Sequence, residues 1–274
     1  MNLRKEFSKE LRKLGVFLLI IACIAILGFS YITWKDKLAS ASTKQADAAP
    51  LIEEKEEMEE TPDSIEEVIT KDQLENLITG MDDSVQEIFL DRFERDEKVQ
   101  LLIAGSEAMD AGEPGYGETL EAAIEEAYAG FVEVDRVPFN GTSAEFMEED
   151  IDLSSGYDVV LLEPFTLNNN GLVEIEVEHE HILAFYNQIQ SKVSDTVLLL
   201  QPPQPIFGAG FYLTQVNALE EFALLSNIVY INHWSAWPGT TDPALQDYLT
   251  EEGNPNDTGA LTWTNELEGY FIAE

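Results

Sequence analysis

Short apolar runs that alternate with helical stretches constrain the fold of this chain more than any other feature of its sequence. Five such runs occur from Val99 onward: VQLLIA (99–104), FVEVDRV (131–137), DVVLLE (158–163), TVLLLQ (196–201) and IVYIN (228–232). Strands that alternate with helices form βαβ crossovers, in which neighbouring strands run parallel. The pattern therefore predicts an α/β fold with a five-stranded parallel sheet that helices cover on both faces.

The predicted helices lie between and around these runs. Those between the runs are GETLEAAIEEAY (117–128), SAEFMEED (143–150), EIEVEHEHILAFYNQIQSK (174–192) and TQVNALEEFALLS (214–226). A last helix over about 261–272 closes the chain. Before the first run, Ser64-Ile-Glu-Glu67 has the pattern of a capping box that opens a helix, and a second helix is predicted at about 84–95. We expect these N-terminal helices, residues 64–98, to pack on the domain formed by residues 99–274.

An uncharged apolar segment lies near the beginning of the chain. Residues 15–34 contain no charged side chain, and a helix of that length can cross the hydrocarbon core of a bilayer. The segment is preceded by five basic residues: Arg4, Lys5, Lys9, Arg12 and Lys13. Positive charge of this kind predicts that residues 1–14 stay cytoplasmic and that the C-terminal domain is extracellular. The prediction is a single-pass signal anchor in the cell membrane.

Two alternatives to this anchor are open. A cleaved signal peptide would have a shorter apolar core and a clean A-x-A site. A lipoprotein processing box resembles the residues that end at Cys23, although ten mostly apolar residues follow that cysteine. Cys23 is the only cysteine in the chain, so no internal disulfide can form.

The charge of the chain excludes one class of partner. The formal net charge is -38, and from Val99 onward only Arg136 and Lys192 are basic, against 31 acidic residues. Such a surface has no cationic stripe with which to neutralise phosphates, so nucleic-acid binding is excluded. Residues 35–63, rich in Ala, Ser, Lys and Glu, are predicted to be an acidic stalk or linker.

Small and polar residues follow the ends of three predicted strands. Ser106 follows the first run, Gly141 follows the second, and residues 163–171 follow the third. Open parallel sheets bind ligands beyond the carboxyl ends of their strands. We therefore expect the functional site at this edge of the sheet.

Four sequence blocks, three of them at these positions, resemble those of the SGNH, or GDSL-type, hydrolase superfamily. In IAGSEAM, Ser106 takes the place of the nucleophile, and in FNGTSAEF, Gly141 matches a glycine whose N–H helps to form the oxyanion hole. In VVLLEPFTLNNNG, Asn168 matches the side-chain donor to the oxyanion. The fourth block is LTEEGNPNDTG, where the family has Asp-x-x-His-Pro-Asn-x-x-Gly. The resemblance covers about residues 84–274 and implies a flavodoxin-like three-layer α/β/α fold with no metal or organic cofactor.

The chain departs from the family at three positions of the first and fourth blocks. Gly105 occupies the place of the aspartate in Gly-Asp-Ser, and Glu251 occupies that of the triad's aspartate. Asn254 occupies the place of the histidine, and an asparagine side chain cannot act as a base near neutral pH. His233, which follows the last run, is either a surrogate base or a packed residue of the HWSAWPG turn. Asn169 and Asn254 are predicted to contact substrate.

Two functions from different classes follow from these observations. The first is a membrane-anchored serine ester hydrolase acting on an ester, such as an O-acyl group of a cell-envelope glycan. In this hypothesis Ser106 attacks, and the oxyanion is held by Gly141, Asn168 and the N–H of Ser106. Glu251, with His233 as the surrogate base, completes the relay that takes the serine proton. The second is a catalytically impaired glycan-binding or scaffold module with the same cleft. His179 and His181 are interpreted as surface histidines, with a metal-binding pair as the alternative.

Overall fold

The computed structural model describes residues 68–273, and within them the chain forms five strands and seven α-helices. The strands are β1 (Val99–Ser106), β2 (Val132–Phe139), β3 (Val159–Leu162), β4 (Val197–Leu200) and β5 (Val229–Tyr230). The helices are α1 (Lys71–Leu77), α2 (Asp83–Glu94), α3 (Tyr116–Ala127), α4 (Ser143–Phe146), α5 (Ile175–Gln190), α6 (Gly210–Leu225) and α7 (Asp257–Phe271). Short 3-10 helices occupy Ile78–Gly80, Glu107–Asp110, His233–Ala236 and Pro243–Tyr248.

The strands form one parallel sheet in the order β2-β1-β3-β4-β5. This order confirms the predicted five-stranded parallel sheet and its flavodoxin-like arrangement. β1 runs two residues beyond the predicted 99–104, so that Ser106 is the last residue of the strand and pairs with Phe139 of β2. Because all five strands point the same way, their carboxyl ends meet at one edge.

Helices cover both faces of the sheet because side chains alternate along each buried strand. In β1, Leu101 and Ile103 belong to one apolar cluster, which also contains buried residues of α1, α2, α3 and α7. Leu102 and Ala104 belong to a second cluster with residues of α4, α5 and α6. The result is a three-layer α/β/α arrangement with a core on each side of the sheet.

The first helix of the described chain begins later than the sequence indicated. α1 begins at Lys71, where Thr70 and Gln73 form a capping box in which each side chain bonds the other's backbone N–H. The predicted capping box at 64–67 lies outside the described residues. The same holds for the predicted anchor at 15–34, the stalk at 35–63 and Cys23. In the part of the chain that the structure describes, no helix combines the length and the apolarity needed to cross a membrane.

A buried ion pair joins α2 to the amino ends of the central strands. The guanidinium of Arg92 donates to Asp158 Oδ1 from Nε at 2.9 Å and from Nη2 at 2.6 Å. The other oxygen of Asp158 accepts the backbone N–H of Gln100 at 2.9 Å. The hydrogen bond to Asp158 is the largest cause that raises the pKa of Arg92, and burial opposes it. Because both partners are buried and well bonded, loss of either one leaves an uncompensated charge in the interior.

We predict that Arg92→Ala destabilises the protein strongly, whereas Lys71→Ala does not. Removing one partner of a buried pair costs roughly 3–5 kcal/mol, and an exposed pair such as Lys71 with Glu75 or Glu94 contributes about 1 kcal/mol at most. Urea denaturation of the purified protein and both variants measures the free energy of unfolding. Equal free energies for the two variants would contradict the role given to Arg92.

Candidate active site

Ser106 lies at the carboxyl end of β1, and its side chain is turned towards Glu163 at the end of the neighbouring strand β3. Its hydroxyl donates to Glu163 Oε2 at 2.8 Å, and its backbone N–H donates to the same oxygen at 2.8 Å. The hydroxyl oxygen also accepts the N–H of Ala108 at 3.3 Å and so caps the short helix that follows. The residue is 5% exposed. The backbone N–H of Ser106, predicted to be an oxyanion donor, is therefore already bonded to a carboxyl group.

Glu163 is the first residue after β3, and it is completely buried. The pairing of Ala104 with Leu162 places it beside the end of β1, where its N–H donates to the carbonyl of Ala104 at 2.9 Å. Burial raises the pKa of its carboxyl group to about 8, although the two hydrogen bonds from Ser106 act in the opposite direction. The charge of Glu178 raises this pKa further. Glu163 Oε1 has no hydrogen-bond partner among the described residues.

Gly105 makes this arrangement possible. A Cβ atom at position 105 would lie 2.8 Å from Glu163 Oε2 and 2.9 Å from the Cβ atom of Glu163. The aspartate that the SGNH blocks have at this position and the buried Glu163 therefore exclude each other. In this chain β3, rather than β1, supplies the carboxyl group beside the serine.

The second and third sequence blocks lie against each other at the same edge. The side-chain amide of Asn168 donates from Nδ2 to the carbonyl oxygen of Gly141 at 2.9 Å. Gly141 has little room for a side chain, because a Cβ atom there would approach the ring of Phe139 to 2.6 Å. The structure thus brings Gly141 and Asn168 together. A shared oxyanion hole with Ser106 stays a prediction.

Asn169 faces the interior instead of a substrate. Its carbonyl oxygen accepts the N–H of Ser143 at 2.9 Å, and its amide donates to Ser143 Oγ at 3.0 Å and to Glu178 at 2.6 Å. Glu178 also accepts the hydroxyl proton of Thr166. Burial raises the pKa of Glu178, and these two hydrogen bonds oppose the shift. The amide of Asn169 is fully used by this network, which joins the segment after β3 to α4 and α5.

His233 is packed, and the structure does not bring it to Ser106. The ring is completely buried, with Nε2 2.8 Å from the carbonyl of Pro202 and Nδ1 accepting the indole N–H of Trp237 at 3.0 Å. It stacks on Trp263 with ring centroids 4.3 Å apart. Burial lowers its pKa to about 3, and the hydrogen bond to Pro202 opposes this shift. Both ring nitrogens are bonded to groups other than Ser106, so the ring has no free nitrogen to accept the serine proton, and the surrogate-base hypothesis finds no support here.

Glu251 and Asn254, which stand at the positions of the acid and base of the usual triad, lie in an exposed turn. Thr250 and Asn254 bond each other: the Thr250 N–H donates to the Asn254 carbonyl at 2.8 Å, and the Asn254 N–H donates to the Thr250 hydroxyl at 3.3 Å. Glu251 lines a groove of about 620 Å³ with Leu167 and Phe207. Residues 68–273 contain no hydrogen bond from Glu251 or Asn254 to Ser106, so the predicted relay is not formed.

The two histidines of α5 point in different directions. His179 stacks on Phe222 with ring centroids 4.2 Å apart, and burial lowers its pKa. His181 lies with Nδ1 2.9 Å from the hydroxyl of Ser143. Neighbours two positions apart on a helix do not share a face. Among residues 68–273, no group of three His, Cys, Asp or Glu side chains could hold a metal ion.

The sequence interpretation overlooked Glu163, the polar residue in closest contact with Ser106. One signal could have found it: an acidic residue ends the apolar run VVLLE, beside a strand in which glycine replaces the expected aspartate. The contact of Ser143 with His181 was overlooked as well. Their separation of 38 positions gave no signal.

Comparison with known proteins identifies the fold. No protein-family model matches the sequence, and no curated protein matches it. Solved structures do: a lipolytic protein of the G-D-S-L family from Desulfitobacterium hafniense is 17% identical with a TM-score of 0.51, covering 63% of this chain and 99% of that one. A GDSL-like lipase from Parabacteroides merdae is 14% identical with a TM-score of 0.52 and coverages of 64% and 95%. An acetyl esterase with an acetate ion is 14% identical with a TM-score of 0.51 and coverages of 62% and 95%. The chain has the fold of the SGNH/GDSL hydrolases, as its sequence blocks predicted.

We predict that Glu163→Gln changes how the stability of the protein depends on pH. Folding raises the pKa of Glu163 from 4.5 to about 8, so the folded state favours the protonated carboxyl. The wild type therefore loses stability as the pH rises from 4.5 to about 8, by about 1.4 kcal/mol per pH unit. A glutamine keeps both hydrogen bonds from Ser106 and does not ionise. As the pH rises, the free energy of unfolding of Glu163→Gln should therefore increase relative to that of the wild type by a few kcal/mol.

Urea denaturation between pH 5 and pH 9 measures this difference. Glu180→Gln, on an exposed position of α5, is the matched control and should follow the wild type at every pH. If the free energies of wild type and Glu163→Gln change in parallel across this range, Glu163 does not have the raised pKa assigned to it.

Proposed function

We propose that this protein is a serine ester hydrolase of the SGNH type, with Ser106 as the nucleophile. The observation that carries the proposal is the hydroxyl of Ser106 at the carboxyl end of β1, bonded to the carboxyl of Glu163 at 2.8 Å. A serine hydroxyl becomes a useful nucleophile when a neighbouring group accepts its proton. The SGNH fold places its reactive serine at the same strand end, which is where this contact occurs.

Oxyanion stabilisation is assigned to Gly141 and Asn168. The amide of Asn168 has two N–H groups, of which one donates to the carbonyl of Gly141. In the proposed reaction the second N–H and the backbone N–H of Gly141 donate to the developing oxyanion. Each donor of this kind typically contributes about 10²–10³ in rate. The contact between the two residues supports their acting at one place.

The groove that Glu251 lines, near the carboxyl edge of the sheet, supports the proposal of an ester substrate with an uncharged alcohol part. Leu167, the neighbour of Asn168, lines it together with Ile206 and Phe207, and these side chains provide apolar contact surface. Glu251 and Glu252 line the same groove and would repel anionic polymers. We propose the O-acyl group of a neutral cell-envelope glycan as substrate. The acetyl esterase among the structural neighbours supports a small acyl group such as acetyl.

The proposed place of action is the outer surface of the cell membrane. Residues 15–34 would anchor the chain, and residues 35–63 would hold the domain away from the bilayer. The sequence supports this proposal through the length of the apolar segment and the basic residues before it.

A glycan-binding module is the second candidate, and the position of the histidines favours it. Both ring nitrogens of His233 are bonded elsewhere, and His181 bonds Ser143. None of the three histidines in the described range is hydrogen-bonded to Ser106. A protein of this kind would keep the groove and bind an acylated glycan without cleaving it.

We predict that a fluorophosphonate probe labels the full-length protein at Ser106 and that Ser106→Ala abolishes the labelling. Hydrolysis of 4-nitrophenyl acetate should be lost in the same variant, because both reactions require the Ser106 hydroxyl. Ser143→Ala is the matched control, since Ser143 is also buried and contacts a histidine. Mass spectrometry of the labelled peptide identifies the modified serine.

Two outcomes would contradict the proposal that the protein is a hydrolase. Equal labelling of wild type and Ser106→Ala would show that another residue reacts. A wild type that is neither labelled nor active at any pH, but binds an acetylated glycan, would support the binding module instead.

A further inference from the structure

We infer that Glu163 accepts and returns the proton of Ser106, taking the part that the histidine plays in the usual triad. This inference rests on the proposed ester hydrolysis. The distance of 2.8 Å between Ser106 Oγ and Glu163 Oε2 lies within the range required for proton transfer between a nucleophile and its base. The backbone fixes both partners, since the N–H of Glu163 bonds Ala104 and the N–H of Ser106 bonds the same carboxyl oxygen.

The bonding of Glu163 differs from that of the other buried acids. Asp158 is paired with Arg92, and Glu178 accepts hydrogen bonds from Thr166 and Asn169. Glu163 has no cation partner within residues 68–273, and the only donors bonded to its carboxyl are the two groups of Ser106. Ion pairing lowers the basicity of a carboxylate, whereas burial without a cation raises it. Burial raises the pKa of Glu178 as well, but of the three acids in residues 68–273 only Glu163 is bonded to Ser106 and keeps a carboxyl oxygen without a partner.

Three titratable groups surround this carboxyl group, each on a different helix. Glu178 of α5 raises its pKa, and the pKa values of Tyr116 of α3 and Tyr212 of α6 are themselves raised well above 10 by burial and by the charge of Glu163. Neither tyrosine is therefore ionised in the range where Glu163 titrates. The pKa of Glu163, about 8, places its ionisation close to the working range of a general base.

The reaction balances with Glu163 as the only proton carrier. The Glu163 carboxylate takes the hydroxyl proton while Ser106 Oγ bonds to the ester carbonyl carbon. The tetrahedral intermediate then collapses, the bond to the alcohol oxygen breaks, and that oxygen takes the proton from Glu163. Water next attacks the acyl-serine and gives a proton to Glu163. Release of the acid returns that proton to Ser106 Oγ, so that ester and water have become acid and alcohol.

The rate of fluorophosphonate labelling of the full-length protein as a function of pH tests this inference. Only the ionised carboxylate accepts a proton, so the rate of the wild type should rise about tenfold per pH unit below about pH 7 and level off only above about pH 8. A histidine with an ordinary pKa of about 6.5 would give a rate that levels off near pH 7.

Glu163→Gln is the decisive variant, because its amide oxygen can still accept both hydrogen bonds from Ser106. Its labelling rate should fall about 100-fold or more, the usual contribution of a general base, and circular dichroism should show an intact fold. Glu180→Gln, at an exposed position with no hydrogen bond to Ser106 or Glu163 among the described residues, should label like the wild type.

The outcomes separate this inference from the proposed function. If the wild type is labelled at Ser106 and Glu163→Gln is labelled at the same rate, the role of Glu163 is overturned, but the proposed hydrolase function is not. Should Glu163→Gln fail to fold, a wild-type rate that levels off by pH 7 overturns the role by itself. Absence of labelling at every pH overturns both.

Discussion

The candidate site depends on the contact between Ser106 and Glu163, which exists because two neighbouring parallel strands end at the same level. The pairing of Ala104 with Leu162 places the next residue of each strand side by side. One of those residues is Gly105, and its missing side chain leaves room for a carboxyl group. Any larger residue there would displace Glu163 and leave the hydroxyl of Ser106 without its acceptor. A single glycine thus decides which strand supplies the acid.

Two buried acids at the carboxyl edge of the sheet have different surroundings and therefore different roles. Glu178 is held by Thr166 and Asn169, and its network joins α5 to the segment that carries Asn168. Within residues 68–273, only Ser106 donates to the carboxyl group of Glu163, and Glu163 Oε1 has no hydrogen-bond partner. Both acids are buried without a cation in the described residues, which is costly. Thr166 and Asn169 satisfy the carboxyl group of Glu178, whereas Glu163 faces a hydroxyl at the carboxyl end of β1. This contrast supports a reactive role for Glu163 and a structural role for Glu178.

The sequence was sufficient for the fold but not for the partner of the serine. Apolar runs such as VVLLE predict strands because burial on both faces of a sheet demands continuous apolar residues. The position of Ser106 followed from the end of such a run. The role of Glu163 depends on the pairing of Ala104 with Leu162, a contact between strands 58 residues apart along the chain.

The surroundings of His233 depend on packing between distant segments, whereas those of Glu251 depend on a local turn. His233 is enclosed by Pro202 and Trp263, which lie far from it along the chain, and by Trp237 of its own turn. Sequence distance alone could not distinguish this enclosure from an approach to Ser106. Glu251 stands in a turn whose hydrogen bonds are internal, so its position along the chain resembles a triad acid while its side chain stays exposed.

A carboxyl titration by nuclear magnetic resonance tests the central claim most directly. With ¹³C-labelled glutamate, the carboxyl signal that disappears in Glu163→Gln belongs to Glu163, and its shift is followed from pH 4 to pH 10. We expect the Glu163 signal to titrate with a midpoint near pH 8, because the carboxyl group is buried beside Ser106. A midpoint near 4.5, the ordinary value for a glutamate, would show a solvated carboxylate and contradict the account.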